Sequence, residues 1–138
     1  MRWLIGSKFV WRNDKQYIID WDKPARSKEQ TKVQELLRQY WDKDIVFSEY
    51  RLPQTKLRVD FINASKKIAL EHQGKGAHNE FNPFFHNNSR TNYLASLKRD
   101  IKKLKILEHN GYTVIETFTE DLNKLSKEFF IQKYNICL

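Results

Sequence analysis

Asp60 and Glu71 are the residues whose types and spacing first suggest chemistry. They sit in Lys56–Gly76, a stretch that reads as two short strands joined by a tight turn. Side chains alternate along a strand, so Arg58, Asp60 and Ile62 share one face of the first, and Leu57, Val59 and Phe61 the other. In the second strand Ala69, Glu71 and Gln73 share a face. A turn over Ala64–Lys67 sets Asp60 opposite or diagonal to Glu71, within reach of one small ion. Two carboxylates forced together repel, and burying them unpaired is costly. A divalent cation that takes oxygen ligands resolves the conflict. The plainer alternative is a surface hairpin with a solvated Asp and Glu, and the surroundings decide between the two.

A third acid comes from ahead of the hairpin. Pro24 introduces a helix with Ser27 as N-cap and Gln30 completing a capping-box pattern. Val33, Leu36, Leu37, Tyr40 and Trp41 supply its apolar stripe. Glu29, four residues before Val33, lies on the face that turns toward the core. A first-turn Glu complements the helix dipole and needs no other purpose; its second reading is a carboxylate aimed at the acidic hairpin. The histidines, His72, His78, His86 and His109, lack the spacing of a zinc site, and no cysteine lies near them. Strand alternation turns His72 away from the two acids.

The remaining elements hold these residues in place. Ile45–Tyr50 reads as a strand, ended by Pro53 and a turn at Gln54–Lys56. Gly74–Arg90 is an irregular stretch rich in Asn, Gly, His and Phe, of a length that loops in small domains reserve for function. A helix over Asn92–Glu108 follows, with Tyr93, Leu94, Leu97, Ile101, Leu104 and Leu107 on its buried side and Lys98, Arg99, Lys102, Lys103 and Lys105 on the others. Asn110-Gly111 stops it. Tyr112–Phe118 is a strand, and Thr119 caps a last helix with Leu122, Leu125, Phe129 and Phe130 facing inward. Upstream, Phe9–Trp11 and Tyr17–Trp21 read as an N-terminal β-hairpin around Arg12–Gln16. Its tryptophans, Trp3, Trp11 and Trp21, are assigned to packing rather than to base stacking.

This order, αβββαβ(α), predicts a mixed α/β (α+β) fold. A three-stranded antiparallel meander leads into a crossover helix that returns the last strand parallel, with the sheet between helices. The expectation is one domain over 1–138, in which 1–24 is a hairpin extension and 27–121 the core. A chain of 138 residues with 40% hydrophobic and 30% charged side chains fits an ordinary globular protein. No apolar run reaches the length of a membrane span, and the N-terminus lacks a signal-peptide cleavage site. A single cysteine, Cys137, fits a reducing compartment. The expected location is therefore the cytoplasm of a bacterium or a phage-infected host. Lys and Arg total 25 against 17 Asp and Glu, for a net charge of +8, which favours polyanionic partners.

Taken in order, Glu29, the Arg58-Val59-Asp60-Phe61 strand, Glu71-His72-Gln73 with Gly74, the helix bearing Arg99-Asp100 and Lys103, and Gly111-Tyr112-Thr113-Val114-Ile115 form a recognisable succession. Over Ser27–Asp121 the chain resembles the PD-(D/E)XK nuclease superfamily. Its phage-type and very-short-patch-repair-like branches are the nearest, with homing or recombination endonucleases as the expected kin. Three departures stand out: Val59 replaces the nominal Pro, Gln73 replaces the usual Lys, and His78 is offset by one residue from the phage-type His.

The resemblance implies a restriction-endonuclease-like core and a Mg²⁺-dependent endodeoxyribonuclease in which Mn²⁺ substitutes. Double-stranded DNA is the implied partner, and a homodimer is one route to cutting both strands. It also implies that Asp60 and Glu71 hold the metal with the backbone carbonyl of His72. Glu29 becomes an outer-shell acid or a ligand to a second metal. Gln73 orients the attacking water, and Lys103, in preference to Lys75, supplies the charge that Gln73 lacks. DNA contacts fall to Lys75, His78, His86, Asn88 and Arg90 in and beside the loop, and to Lys98, Arg99 and Lys102 on the crossover helix. Gln73 in place of Lys motivates one alternative, a non-catalytic nucleic-acid-binding module on the same fold. A structure-specific junction-resolving nuclease is the other.

Overall fold

A computed structural model describes residues 1–74 and 90–138, the side chains of 90–96 excepted. The elements run β1 (Arg2–Ile5), β2 (Lys8–Trp11), α1 (Lys28–Trp41), β3 (Val46–Arg51), β4 (Arg58–Asn63), β5 (Ile68–His72), α2 (Arg90–His109), β6 (Thr113–Thr117) and α3 (Lys127–Tyr134). β3, β4 and β5 form the antiparallel meander, and β6 joins β5 in parallel, so the sheet order is β3–β4–β5–β6. The mixed α/β architecture and the order of elements are those the sequence pattern predicts.

Two apolar layers sandwich the sheet. On one side Val33, Leu37 and Trp41 of α1 and Phe130 of α3 meet Phe61, Leu70 and Ile115. On the other, Leu107 near the end of α2 and Trp3 of β1 meet Tyr50, Ile62, Ala69 and Tyr112. Ser27 caps α1, its Oγ accepting the Gln30 N–H at 3.1 Å. The reciprocal half of the capping box is missing, because the Gln30 side chain donates to Glu49 at 2.7 Å instead. Asn110 and Gly111 end α2 as expected, with Gly111 at φ +84, where a side chain would be strained.

Three expectations are corrected. The N-terminal hairpin pairs β1 with β2 around Gly6-Ser7, not Phe9–Trp11 with Tyr17–Trp21. Gly6 at φ +64 makes the two-residue turn possible, whereas Asn13 and Asp14 lead into a 3₁₀ turn at Lys15–Tyr17. The last helix starts at Lys127, capped by Ser126, whose Oγ accepts the Phe129 N–H at 3.1 Å. Thr119 opens a 3₁₀ turn, and its hydroxyl is spent on Glu29. On α2, Ile101 and Leu104 are 49% and 41% exposed rather than buried. The helix seats on the sheet through Leu107, and further back it leaves a cleft of about 430 Å³ against Val114 and Phe118. Tyr93 and Leu94 lie outside the described side chains. Among the described residues, no helix is long and apolar enough to cross a membrane.

Candidate active site

β4 and β5 pair from Asn63↔Ile68 to Phe61↔Leu70 and then part. Beyond that point β4 pairs with β3 as far as Arg51↔Arg58, while β5 keeps to β6 as far as His72↔Thr117. A side chain bridges the opening: Asp60 Oδ2 accepts the backbone N–H of His72 at 2.8 Å. The N–H and C=O of one residue leave an extended strand from the same edge, so the His72 carbonyl also lies on the Asp60 side. The next residue faces the other way, Gln73 N–H donating to the Thr117 carbonyl at 2.8 Å.

β3 is irregular at the same level. Ser48 and Tyr50 pair across to Phe61 and Val59, but Glu49 between them has φ +48 and no strand partner. The alternation expected along β4 fails here. Val59 packs in the same layer as Ile62, and Phe61 alone goes to the opposite one. A left-handed residue turns β3 by one pleat, and β4 follows it through the paired positions on either side.

Glu71 is nearly buried, its side chain 11% exposed. Its Oε1 accepts from Lys103 Nζ at 2.7 Å and its Oε2 from Gln73 Nε2 at 3.3 Å. Burial pushes its carboxyl up to about 7; Lys103 pulls the other way, and Asp60 and Asp100 add to the rise. Asp60 is also raised, by burial first, with the His72 N–H opposing and Glu49 reinforcing. Both acids open onto a cleft of about 320 Å³. Its walls carry Arg26, Lys56, Arg58, Arg99 and Lys103 among the cations, and Glu49 and Asp100 as further acids.

The structure thus brings Asp60, Glu71, Gln73 and Lys103 together. Glu29, expected as an outer-shell acid, is not among the described residues that line this cleft. Its Oε1 meets His72 Nε2 at 2.8 Å and accepts the Thr119 hydroxyl at 2.7 Å. His72 Nδ1 meets Thr117 Oγ1 at 2.8 Å on the same side. Alternation turns His72 away from Glu71 as expected, and Glu29 goes with it. Arg99 reaches the cleft, whereas Lys98 and Lys102 are exposed on α2 without lining it. Lys75, His78, His86 and Asn88, and the side chain of Arg90, lie outside what is described.

Sequence reasoning missed Glu49, Arg26 and Lys56, and gave Arg58 and Asp100 no role in the site. The signal for Glu49 was present. It is an acid inside the apolar run Val46–Tyr50, at the position antiparallel pairing sets beside Asp60. Asp100 precedes Lys103 by three residues on α2, and so shares its face.

The cleft fits a hard divalent cation, since Asp60, Glu71, the His72 carbonyl and Glu49 offer only oxygen. Among the described residues no three His, Cys, Asp or Glu side chains converge on one point. A cation here would have two carboxylates and complete its shell with carbonyl, water and substrate oxygens, which is the habit of Mg²⁺. No protein-family model, curated protein or solved structure matches the chain. The resemblance to PD-(D/E)XK nucleases therefore rests on the residues themselves.

Proposed function

We propose that this chain is a metal-dependent DNA endonuclease of the PD-(D/E)XK type that hydrolyses phosphodiester bonds in the cleft where β4 and β5 part. The observation that carries the reading is the Asp60–Glu71 pair: two carboxyls, one half-buried and one buried, both pushed above their ordinary range, in a cleft that also carries Arg26, Lys56, Arg58, Arg99 and Lys103. Mg²⁺ or Mn²⁺ held by Asp60, Glu71 and the His72 carbonyl would supply Lewis-acid charge at the scissile phosphate.

The chain's own groups do the rest. Gln73 is neither a base nor a cation, but its amide beside Glu71 can orient a water by donating and accepting hydrogen bonds. Lys103 brings the positive charge that Gln73 lacks, close enough to Glu71 to meet charge building up on the phosphate. Arg58 and Arg99 at the rim take flanking phosphates, contacts that set position rather than sequence. His72 and Glu29 are positioning residues, tying the end of β5 to α1 and to Thr119.

The test is cleavage by Asp60→Ala and Glu71→Ala on duplex, branched and single-stranded DNA with Mg²⁺ or Mn²⁺. Both variants should lose cleavage and keep DNA affinity. Full activity in either, or activity that survives EDTA, overturns the site. Binding with a steep salt dependence and no cleavage of any substrate by the unaltered protein replaces the enzyme with a binding module. A preference for branched over linear DNA narrows the reading to a junction-resolving nuclease.

A further inference from the structure

The β1–β2 hairpin has an outer face that nothing in the catalytic reading uses. Its register, Arg2↔Trp11 and Leu4↔Phe9, puts those four side chains on one face. Trp11 is 72% and Phe9 64% exposed, and the Arg2 guanidinium lies 4.4 Å above the Phe9 ring. The inner face is locked. Trp3 is buried, its indole N–H donates to the Tyr50 hydroxyl at 2.7 Å, and its ring stacks on Tyr112 at 5.2 Å. Asn110 pins the backbone of β1 with two hydrogen bonds to Leu4. Two large aromatics are thus held out in water on a rigid support, with a cation among them.

We propose that this face is a stacking platform for unpaired bases of a DNA strand that continues into the cleft. Every base has a π-face, so exposed aromatics with an Arg suit single strands of any sequence. Charge favours that occupant: residues 1–12 hold Arg2, Lys8 and Arg12 and no acid. The nearest acid, Asp14, is buried and paired with Arg12. Basic residues succeed one another from the hairpin to the cleft. Arg12 donates to the Arg51 carbonyl, Arg51 pairs across to Arg58, and Arg58 and Lys56 line the cleft. The proposal rests on the nuclease reading only for where the strand leads.

The experiment is anisotropy of a fluorescein-labelled oligothymidylate in EDTA, with a matched duplex as control. The double variant Phe9→Ala/Trp11→Ala should bind the oligothymidylate about tenfold or more weakly. Its melting temperature and duplex affinity should hardly move, because both side chains stand in solvent. Unchanged affinity for the single strand overturns the proposal. So does self-association that vanishes in the double variant, which would make the face a contact between copies. Cleavage that survives Asp60→Ala sinks the nuclease reading instead, and leaves the oligothymidylate result standing.

Discussion

The N-terminal hairpin and the cleft both draw carboxylates out of solvent, and they treat them in opposite ways. Beside the N-terminal hairpin, Asp14 is 3% exposed at its side chain and saturated with donors. It accepts from Arg12 Nε and from the Tyr50 hydroxyl, each at 2.7 Å, and the N-terminal amine lies 3.5 Å away. Tyr50 in turn accepts from Trp3. The consequence falls on Tyr50, whose phenol is pushed well above its ordinary range by burial and then by Asp14. In the cleft, by contrast, among the described residues Asp60 receives the His72 N–H, and Glu71 has Lys103 with a long contact to Gln73 while facing Asp60 and Asp100. A carboxylate buried for structure is given its cations and donors. One with fewer donors among the described residues, and driven toward neutrality, is where the proposed cation would sit.

The largest effect should separate the two sites by stability. Removing one partner of a buried, hydrogen-bonded ion pair costs on the order of 3–5 kcal/mol. Asp14→Ala should therefore lose about 3 kcal/mol in denaturant unfolding, since Arg12, Tyr50 and the amine lose a common acceptor. Asp60→Asn, measured without metal, should stay within about 1 kcal/mol of the unaltered protein, because relief of repulsion offsets a weakened acceptor for the His72 N–H. Equal losses at the two sites would erase the distinction.

Next in size is a pH effect at Glu71. Its carboxyl moves from an ordinary 4.5 to about 7 on folding, so the folded state holds the proton more tightly. Stability is then fullest below the unfolded value, declines as pH rises toward 7, and is level above it. In metal-free protein Glu71→Gln should gain on the unaltered chain over that same window. The gain should reach about 2 kcal/mol by about pH 8, part of the shift being offset by the partner Lys103 loses, and it should vanish near pH 4. Melting curves across pH read this directly. Mg²⁺ should flatten the dependence of the unaltered protein and leave Glu71→Gln unmoved; a variant that melts in parallel with the unaltered protein at every pH would show that Glu71 is a satisfied acid like Asp14.

Much of the cleft was legible because its parts obey local rules. Alternation and a four-residue turn were enough to set Asp60 against Glu71, whereas helical spacing put Lys103 off the buried side of α2 and only the family resemblance aimed it at the site it reaches. The order of elements followed from periodicity and from Asn110-Gly111. What escaped depended on contacts that no local rule contains. Glu29 satisfies the helical stripe, yet where its carboxylate goes is decided by His72 and Thr119, residues distant in sequence. The hairpin turn was misplaced because Asn13-Asp14 is a stronger turn signal than Gly6-Ser7. Asp14 is instead drawn inward by Tyr50 and Arg12. The pleat lost at Glu49 is a conformation rather than a residue preference, so the Val59 and Phe61 faces could not be read from alternation alone.

The smallest effect tests whether that lost pleat or the charge it carries matters to Asp60. Glu49 sits at φ +48, a region costing a non-glycine residue on the order of 1 kcal/mol. Glu49→Gly relieves that strain and removes the acceptor used by Gln30, so net stability should change by less than about 1 kcal/mol. Glu49→Gln keeps the strained backbone and the side-chain shape but drops the charge that raises Asp60. Carboxyl-carbon NMR titration of metal-free protein should show Asp60 ionising at lower pH in both variants, to a similar extent, with no change at Asp14. A shift in the glycine variant alone would transfer the cause to the backbone. Glu49 would then shape the opening between β4 and β5 without acting on it electrostatically, and the rise at Asp60 would be a property of the parted strands themselves.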